Sequence, residues 1–206
     1  MTAIARRLFP PAETLDGYEH SELVDVIFRK TVAFAPRDTW PEMAGAATVL
    51  DFGGACGLHY KQAQSSSVRW AVVETPAMAE RARALASDKL RFFTSISDAA
   101  AWLGPIDVMH SNAALQYSPD PERTLAELCG LSAKTMLWSR LRLSAVQTER
   151  ELQSSRLSDN GPGRLAGLKE KTVRCALTRI PEPAFLAAHA GYTVAARGPD
   201  WFRFVR

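Results

Sequence analysis

The fold of this chain is decided by the stretch Val49-Leu50-Asp51-Phe52-Gly53-Gly54-Ala55-Cys56-Gly57. A short apolar run, Ala46 to Leu50, leads into an acidic residue and a glycine-rich turn, and residues 58–62 can continue as a helix. Glycines let the backbone adopt positive φ and approach a ligand closely, and the start of a helix presents unpaired N–H groups. The pattern therefore predicts a strand, a loop that binds a small molecule, and a helix.

A second acidic position follows at a suitable distance. Glu74 comes directly after the apolar run Trp70-Ala71-Val72-Val73 and is 23 residues beyond Asp51. One strand–helix–strand unit has about that length, and an acid at the end of its second strand suits the ribose hydroxyls of a nucleoside. The glycines of the loop do not occupy the first, third and sixth positions that a dinucleotide fingerprint needs. The alternative is a glycine-rich turn that binds no ligand.

The pattern Asp51-x-Gly53-x-Ala55-x-Gly57, followed by Val73-Glu74, resembles the first two motifs of the class I S-adenosylmethionine-dependent methyltransferases. The resemblance implies that the loop lies under the methionine part of S-adenosylmethionine and that Glu74 binds the two ribose hydroxyls. The usual middle glycine of the family is Ala55 here, and its methyl group would keep the loop farther from a ligand. The cofactor contacts implied by the resemblance are Asp51, Phe52, Gly53, Gly54, Ala55, Gly57, Glu74, Thr75, Ser95, Ile96, Ser111 and Asn112.

A third motif follows the predicted fourth strand, Ile106-Asp107-Val108-Met109-His110. The next residues include Ser111, Leu115-Gln116-Tyr117 and Asp120-Pro121, and they resemble the family's fourth-strand region, which borders the transferred methyl group. The three motifs occur in the family's order and spacing. The sequence is also similar to a group of bacterial methyltransferases marked by Leu-Asp-Phe-Gly-Gly, Val-Val-Glu-Thr-Pro and Leu-Gln-Tyr. That group is associated with cell-surface polysaccharide synthesis, which suggests a sugar substrate.

Apolar runs and turn signals predict seven strands, which is the number in this family. The predicted fold is α/β: a doubly wound, mostly parallel sheet of the Rossmann-like class I methyltransferase type, in a single domain over residues 1–206. Its parts are an N-terminal arm and helix (1–45), a cofactor-binding half (46–141), an inserted lid (142–179), and a C-terminal helix with an antiparallel strand pair (180–206). The strands are predicted from Val49 onward and at 69–73, 90–93, 106–110, 135–138, 192–196 and 201–205.

Three segments outside the strands carry predictions of their own. Residues 1–18 are predicted to be an arm or loop, followed by a helix from His20 to Phe34 that begins with Ser21 as its cap. This helix either covers the cofactor or shields one edge of the sheet. Thr75-Pro76 predicts a helix start with a hydroxyl cap, and residues 94–97 predict a loop, which in the resembling family approaches the adenine ring. Further helices are predicted at 77–87, 122–131 and 182–190.

The insertion, residues 142–179, is not needed by the minimal fold. It contains the strong loop signal Asp159-Asn160-Gly161-Pro162-Gly163. From Arg140 to Arg179 there are nine basic and four acidic residues. A long basic insertion beside the carboxyl edge of the sheet is a suitable lid over an anionic substrate. The alternative is that this insertion is a solvated surface helix followed by a loop.

A general base is expected if the methyl acceptor is a hydroxyl, and histidine is the first residue type to consider. His110, at the carboxyl end of the predicted fourth strand, is the first candidate for a base or a substrate-orienting group. His59 follows the glycine loop and is a second candidate, expected to face the same cavity. The alternative for His110 is a buried histidine bonded to the backbone. His20 and His189 lie near helix ends, where structural roles are expected. Substrate contacts are predicted from Tyr60, Tyr117 and Arg140.

Composition limits the class of protein. The 206 residues carry 25 Lys+Arg against 22 Asp+Glu, a formal net charge of +3, which is ordinary for one globular domain. No apolar run has the length of a membrane span, and the first residues lack the apolar core of a secretory signal, so a cytoplasmic location is expected. Three cysteines without close pairing predict neither a disulfide framework nor a zinc site. We expect no metal, no membrane partner and no nucleic acid, since the basic segment lacks interleaved aromatic residues.

These observations predict an enzyme that transfers a methyl group from S-adenosylmethionine to a small-molecule acceptor, a hydroxyl compound such as a sugar or an anionic molecule. One alternative is a non-catalytic module that uses the same fold to bind a cofactor or a partner. Another is a nucleotide-sugar or nicotinamide-dependent enzyme on a similar sheet.

Overall fold

The predicted strands are present in the computed structural model, which describes residues 13–36, 43, 45–63 and 67–206. Short 3₁₀ turns occur at Arg83–Leu85, Leu115–Tyr117 and Leu157–Asp159. In chain order the other elements are β1 (Thr14–Asp16), α1 (Ser21–Ala33), β2 (Thr48–Phe52), α2 (Leu58–Ala63), β3 (Arg69–Val73), α3 (Pro76–Ala82), β4 (Leu90–Phe93), α4 (Ile96–Leu103), β5 (Val108–Asn112), α5 (Pro121–Gly130), β6 (Thr135–Ser139), β7 (Glu149–Arg156), β8 (Thr172–Arg179), α6 (Glu182–Ala188), β9 (Thr193–Arg197) and β10 (Phe202–Val205).

A seven-stranded sheet forms the centre of the fold, with strand order β4-β3-β2-β5-β6-β10-β9. The first five strands in this order are parallel, whereas β10 runs antiparallel to both β6 and β9. The prediction of a mostly parallel seven-stranded sheet is therefore confirmed. The chain order reverses between β2 and β5, and in open α/β sheets ligands bind outside the carboxyl ends of the strands at such a point.

Strand β5 is displaced from its predicted position by two residues. Asp107, predicted to lie in the strand, instead accepts backbone N–H groups of Ala47 and Thr48 through Oδ2, at 2.8 and 3.2 Å, and so fixes the turn before it. The strand continues to Asn112. His110 therefore lies in the middle of a central strand, paired with Asp51 of β2, and the prediction that it ends the strand is wrong.

The helices cover the two faces of this sheet. Helices α1 and α3 contribute to the apolar cluster on one face, and α4, α5 and α6 to the cluster on the other. Helix α4 lies where a loop was predicted from residue 94 to 97, because Ser95 accepts the Asp98 N–H and begins a helix there. The three cysteines, Cys56, Cys129 and Cys175, are free thiols. In the described parts of the chain, no helix has the length and apolarity to cross a membrane.

A second sheet of three strands, in the order β1-β8-β7, was not predicted. The insertion is an antiparallel hairpin of β7 and β8, not a surface helix, and residues 14–16 of the supposed arm pair in parallel with β8. Alternate residues of β8, Val173, Cys175 and Leu177, are buried. The hairpin thus contributes to the core on one side, as an antiparallel sheet with one solvated face does.

A buried lysine of helix α1 forms hydrogen bonds with the insertion. Lys30 is only 2% exposed, and its Nζ donates to the carbonyl oxygens of Ser158 and Asn160 at 2.8 and 2.7 Å. Burial lowers the pKa of Lys30. Lys171 also bridges the same region, with its Nζ 2.9 Å from Glu13 Oε2 and 2.5 Å from Glu22 Oε2. Residues 13–33, here called the N-terminal segment, therefore pack together with the insertion, and the two are called the covering layer below.

Two predicted helix caps differ in detail from the structure. His20, not Ser21, is the cap of α1, because its Nδ1 accepts the Glu22 N–H at 3.3 Å. Thr75 stands at the cap position of α3 before Pro76, as predicted, but its hydroxyl makes no capping hydrogen bond. The fixed φ of proline at the first helical position is enough to begin α3.

Candidate active site

The carboxyl end of β3 holds Glu74 against the glycine loop. The backbone N–H of Ala55 donates to Glu74 Oε1 at 2.8 Å, and that of Thr75 donates to Oε2 at 2.9 Å. Each oxygen keeps a second lone pair. Glu74 is half-buried, and no cation pairs with it in the part of the chain that the structure describes. Burial raises the pKa of Glu74 to about 7, although the two N–H groups oppose this effect.

Two glycines of the loop, Gly53 and Gly54, are required by packing inside the protein. Gly53 has φ +72°, and a Cβ on it would clash with the Ala114 side chain. A Cβ on Gly54 would lie 2.6 Å from Asp51 Cγ. Ala55 adopts φ +49°, a conformation that glycine usually takes, and its side chain packs against the apolar cluster that includes α1 and α3. The sequence predicts that these glycines allow the approach of a ligand; their contacts within the chain depend on the fold and were not predicted.

Asp51 is the centre of a buried polar cluster. Its side chain is fully buried; His110 Nδ1 lies 2.7 Å from Oδ1, while His59 Nδ1 and Trp70 Nε1 lie 3.2 and 3.3 Å from Oδ2. Burial alone would raise the pKa of Asp51, but the charges and hydrogen bonds of the two histidines together hold it below its usual range. The carboxylate thus anchors three side chains. This role was not predicted, and a cofactor contact through Asp51 stays a prediction.

The two histidines differ in their access to solvent. The side chain of His110 is fully buried, and burial lowers its pKa although the Asp51 carboxylate opposes the shift. His59 lies in the first turn of α2, and 12% of its side chain is exposed. The rings pack edge to face with their centroids 4.6 Å apart. His59 Nε2 is 3.5 Å from Asn112 Nδ2, at the end of β5. The structure therefore brings the two candidate bases together, with only His59 reaching the surface.

The same cluster contains ligand types that bind transition metals. Each of three residues, Asp51, His59 and His110, offers one ligand atom, and the three atoms lie within 4.8 Å of one another. Two imidazoles and one carboxylate are a known donor set for such ions. No metal site was predicted, and the meeting of these three residues cannot be expected from the sequence, because they come from β2, α2 and β5.

The covering layer meets the carboxyl edge of the sheet at Tyr117, a predicted substrate residue. Its hydroxyl donates to Gln153 Oε1 of β7 at 2.8 Å, and its ring packs edge to face on Tyr18, with centroids 5.1 Å apart. Arg142 Nη1 also donates to Gln153 Oε1, at 3.1 Å. Burial raises the pKa of Tyr18 well above its usual range. Tyr18 and Gln153 carry no motif that would have identified them in the sequence.

The two remaining predicted substrate residues are Tyr60 and Arg140. Tyr60 packs edge to face with Trp70, at 6.0 Å between centroids. Arg140 is exposed at the end of β6, and its carbonyl accepts the Gln116 side chain at 3.1 Å. These contacts leave both as candidates for substrate binding, with the Arg140 guanidinium on the surface.

Of the remaining predicted cofactor residues, several are buried. Ser95 caps α4, whereas the side chain of Ile96 is only 6% exposed and belongs to the apolar core beneath that helix. Ser111 is 2% exposed, and Phe52 packs against the same core. Contacts from these residues to a cofactor stay predictions, and a contact through the Ile96 side chain is disfavoured by its burial.

Among the solved structures that resemble this chain, two do so over most of its length. The sugar N-methyltransferase KedS8 from Streptoalloteichus sp ATCC 53650 has 15% sequence identity and a TM-score of 0.54, covering 100% of this chain and 98% of its own. DesVI from Streptomyces venezuelae has 14% identity and a TM-score of 0.54, covering 90% and 89%. Neither protein-family models nor curated protein sequences gave a match. The chain therefore has the Rossmann-like α/β fold seen in these solved structures, as the sequence predicted.

Proposed function

We propose that this protein transfers a methyl group from S-adenosylmethionine to a hydroxyl of a small molecule, and that the acceptor is a sugar. The observation that carries the proposal is the Glu74 carboxylate, held by the N–H groups of Ala55 and Thr75 at the carboxyl end of β3. A fixed carboxylate that pairs with no cation among the described residues suits two ribose hydroxyls, each donating one hydrogen bond. The fold of a sugar N-methyltransferase and the resemblance to a polysaccharide-associated group support a sugar acceptor.

The cofactor, when bound, supplies a methyl group on a positively charged sulfur. The protein has to position the acceptor in line with that group, and well-oriented reactants can recover about 7–11 kcal/mol of a reaction barrier. The glycine loop and Glu74 are proposed to hold the cofactor from one side. The layer formed by the N-terminal segment and the insertion is proposed to orient the acceptor from the other, through Tyr117 and Arg140. The expected location in the cytoplasm stays a prediction.

The first test is calorimetric titration with S-adenosylmethionine and S-adenosylhomocysteine, with NAD as the negative control. Glu74→Gln keeps the shape of the side chain but removes the charge, and should weaken binding at least about tenfold, since hydrogen bonds to charged groups contribute about 1.5–3 kcal/mol each. Glu80→Gln is the matched control, because Glu80 is exposed on α3 and pairs only with Arg83 among the described residues. Unchanged affinity in Glu74→Gln would remove Glu74 from the cofactor site.

The second test is release of S-adenosylhomocysteine from S-adenosylmethionine in the presence of sugars and sugar nucleotides. Release that depends on an added sugar, with equal methylation of that sugar, is the expected result. Cofactor binding without release for any acceptor would instead favour the non-catalytic module. Binding of NAD in preference to S-adenosylmethionine would contradict the proposed reaction.

A further inference from the structure

The hydrogen bonds of Asp51 determine which nitrogen of each neighbouring histidine carries a proton. An ionised carboxylate only accepts hydrogen bonds. His59 Nδ1 and His110 Nδ1 both contact it, at 3.2 and 2.7 Å, so both must carry hydrogen at Nδ1. In a neutral imidazole with Nδ1–H, the lone pair is on Nε2. The cluster therefore presents His59 Nε2 as a proton acceptor.

The position of His59 Nε2 suits a reacting hydroxyl. His59 is the second residue of α2, directly after the glycine loop, and its Nε2 is 3.5 Å from the amide nitrogen of Asn112 at the end of β5. That contact is long for a hydrogen bond, so a hydroxyl can replace it at little cost. His110 is fully buried, whereas 12% of the His59 side chain is exposed. Only one of the two histidines can therefore meet an acceptor without a change in the fold.

We propose that His59 is the proton acceptor of the methyl transfer, that Asp51 is the residue that positions it, and that His110 is not catalytic. This inference rests on the proposed function. The acceptor hydroxyl gives its proton to His59 Nε2 as the oxygen–methyl bond forms. The carbon–sulfur bond breaks and its electron pair stays on sulfur. His59 is then an imidazolium beside the Asp51 carboxylate, and it later releases the proton to water.

His110 has a different task in this arrangement. Its hydrogen bond to Oδ1 holds one carboxylate oxygen, while Trp70 shares the other with His59. The carboxylate therefore cannot rotate, and Oδ2 stays directed at His59 Nδ1. His110 acts on the reaction through Asp51 and has no contact of its own with the acceptor.

A metal ion held by the same residues would require a different arrangement. The ring nitrogen that each histidine directed at an ion would have to carry a lone pair and no hydrogen, and for a ligand at Nδ1 this excludes the hydrogen bond to Asp51. The two histidines contact different oxygens of Asp51, and Trp70 donates a third N–H to one of them. Hydrogen bonding therefore accounts for the cluster without an ion, and metal binding becomes an outcome of the test.

The test is NMR of the intact protein labelled with ¹⁵N-histidine, in which long-range ¹H–¹⁵N spectra distinguish the two tautomers of each ring. Both His59 and His110 should carry Nδ1–H, and addition of S-adenosylhomocysteine should shift the His59 signals more than those of His110. In Asp51→Asn the fixed tautomer of His59 should be lost. An Nε2–H tautomer at His59 in the unmodified protein would overturn the proposal, and this reading needs neither an acceptor nor a folded Asp51 variant.

Titration of the same sample with zinc chloride tests the metal alternative. Stoichiometric binding that His59→Gln abolishes would replace the proton-acceptor role by a metal site. With an acceptor in hand, His59→Gln should lower kcat about 10²–10⁴-fold and leave S-adenosylhomocysteine affinity within about threefold. His20→Asn, which keeps a capping side chain, is the control and should do neither. Unchanged kcat in His59→Gln would refute this inference alone, whereas loss of cofactor binding by the unmodified protein would refute the proposed function.

Discussion

The pKa of Glu74 predicts that cofactor binding depends on pH near neutrality. Burial raises this pKa to about 7 in the ligand-free protein. Ribose hydroxyls donate hydrogen bonds, so they bind the ionised carboxylate better than the protonated one. Raising the pH from 6 to 8 should therefore strengthen binding. Lowering the pH should weaken it, because the protonated carboxyl has to lose its proton before the cofactor binds.

The size of the effect follows from the ionised fraction. With a pKa of about 7, roughly one carboxyl in eleven is ionised at pH 6 and roughly ten in eleven at pH 8. If only the ionised form binds, the affinity at pH 8 is about tenfold higher than at pH 6, and about half a proton is released per cofactor bound at pH 7. Any binding of the cofactor to the protonated form of Glu74 makes both the change in affinity and the number of released protons smaller.

Calorimetry in buffers of different ionisation enthalpy measures both the affinity of the ligand and the number of protons that are released when it binds. The titrant is S-adenosylhomocysteine, and Glu74→Gln gives the pH dependence that remains from other groups, including those of the ligand. Glu80→Gln should reproduce the unmodified protein. An identical pH dependence in the unmodified protein and in Glu74→Gln would show that Glu74 does not ionise on binding, and the assignment of this residue to the ribose hydroxyls would fail.

Two further predictions concern the packing around the site. Gly54→Ala should destabilise the fold by about 1–3 kcal/mol in urea unfolding and weaken cofactor binding, because the new Cβ would lie 2.6 Å from Asp51 Cγ. Gly130→Ala, at the end of α5 with open space around the new Cβ, is its control and should leave stability unchanged or slightly raised. Lys30→Met should cost about 1–3 kcal/mol and speed hydrogen exchange of residues 157–163, because two carbonyls lose their donor; Lys89→Met, on the surface, is its control. Equal stability of either variant and its control would contradict the corresponding contact.

The central sheet was predictable because its parallel strands are short apolar runs followed by residues that stop them. Strand β3 reads Arg-Trp-Ala-Val-Val and is buried from its second residue onward, as expected for a strand covered on both faces. Glu74 could be located from the same pattern, since it ends that run. The start of β5 could not be located in this way. Asp107 accepts hydrogen bonds from two backbone N–H groups that lie 59 and 60 residues earlier in the chain, and such a contact leaves no local pattern in the sequence.

The second sheet was missed because its outer strand has almost no apolar residues. Strand β7 reads Glu-Arg-Glu-Leu-Gln-Ser-Ser-Arg, and even Leu152 is 65% exposed. Such a strand forms by pairing with β8 over eight residues, so local periodicity cannot reveal it. The Asp51 cluster was missed for a related reason: the register of β2 against β5 and the turn of α2 decide which side chains meet there.

The cost of the Asp51 cluster is itself an argument that it has a function. A fully buried carboxylate loses the hydration that stabilises its charge, and hydrogen bonds from neutral groups return only part of that free energy. Burial lowers the pKa of His110 although the Asp51 carboxylate opposes the shift, and the contact that the ring makes with Asp51 Oδ1 is a hydrogen bond of 2.7 Å. Apolar residues of similar volume at these positions would often give an equally stable or more stable fold. What the cluster provides, and an apolar core would not, is a fixed Nδ1–H on His59 and a negative charge beside the ring when it is protonated. Both would favour a group that takes a proton from a hydroxyl, and they support the proposal that the cluster acts in the reaction and is not kept for stability alone.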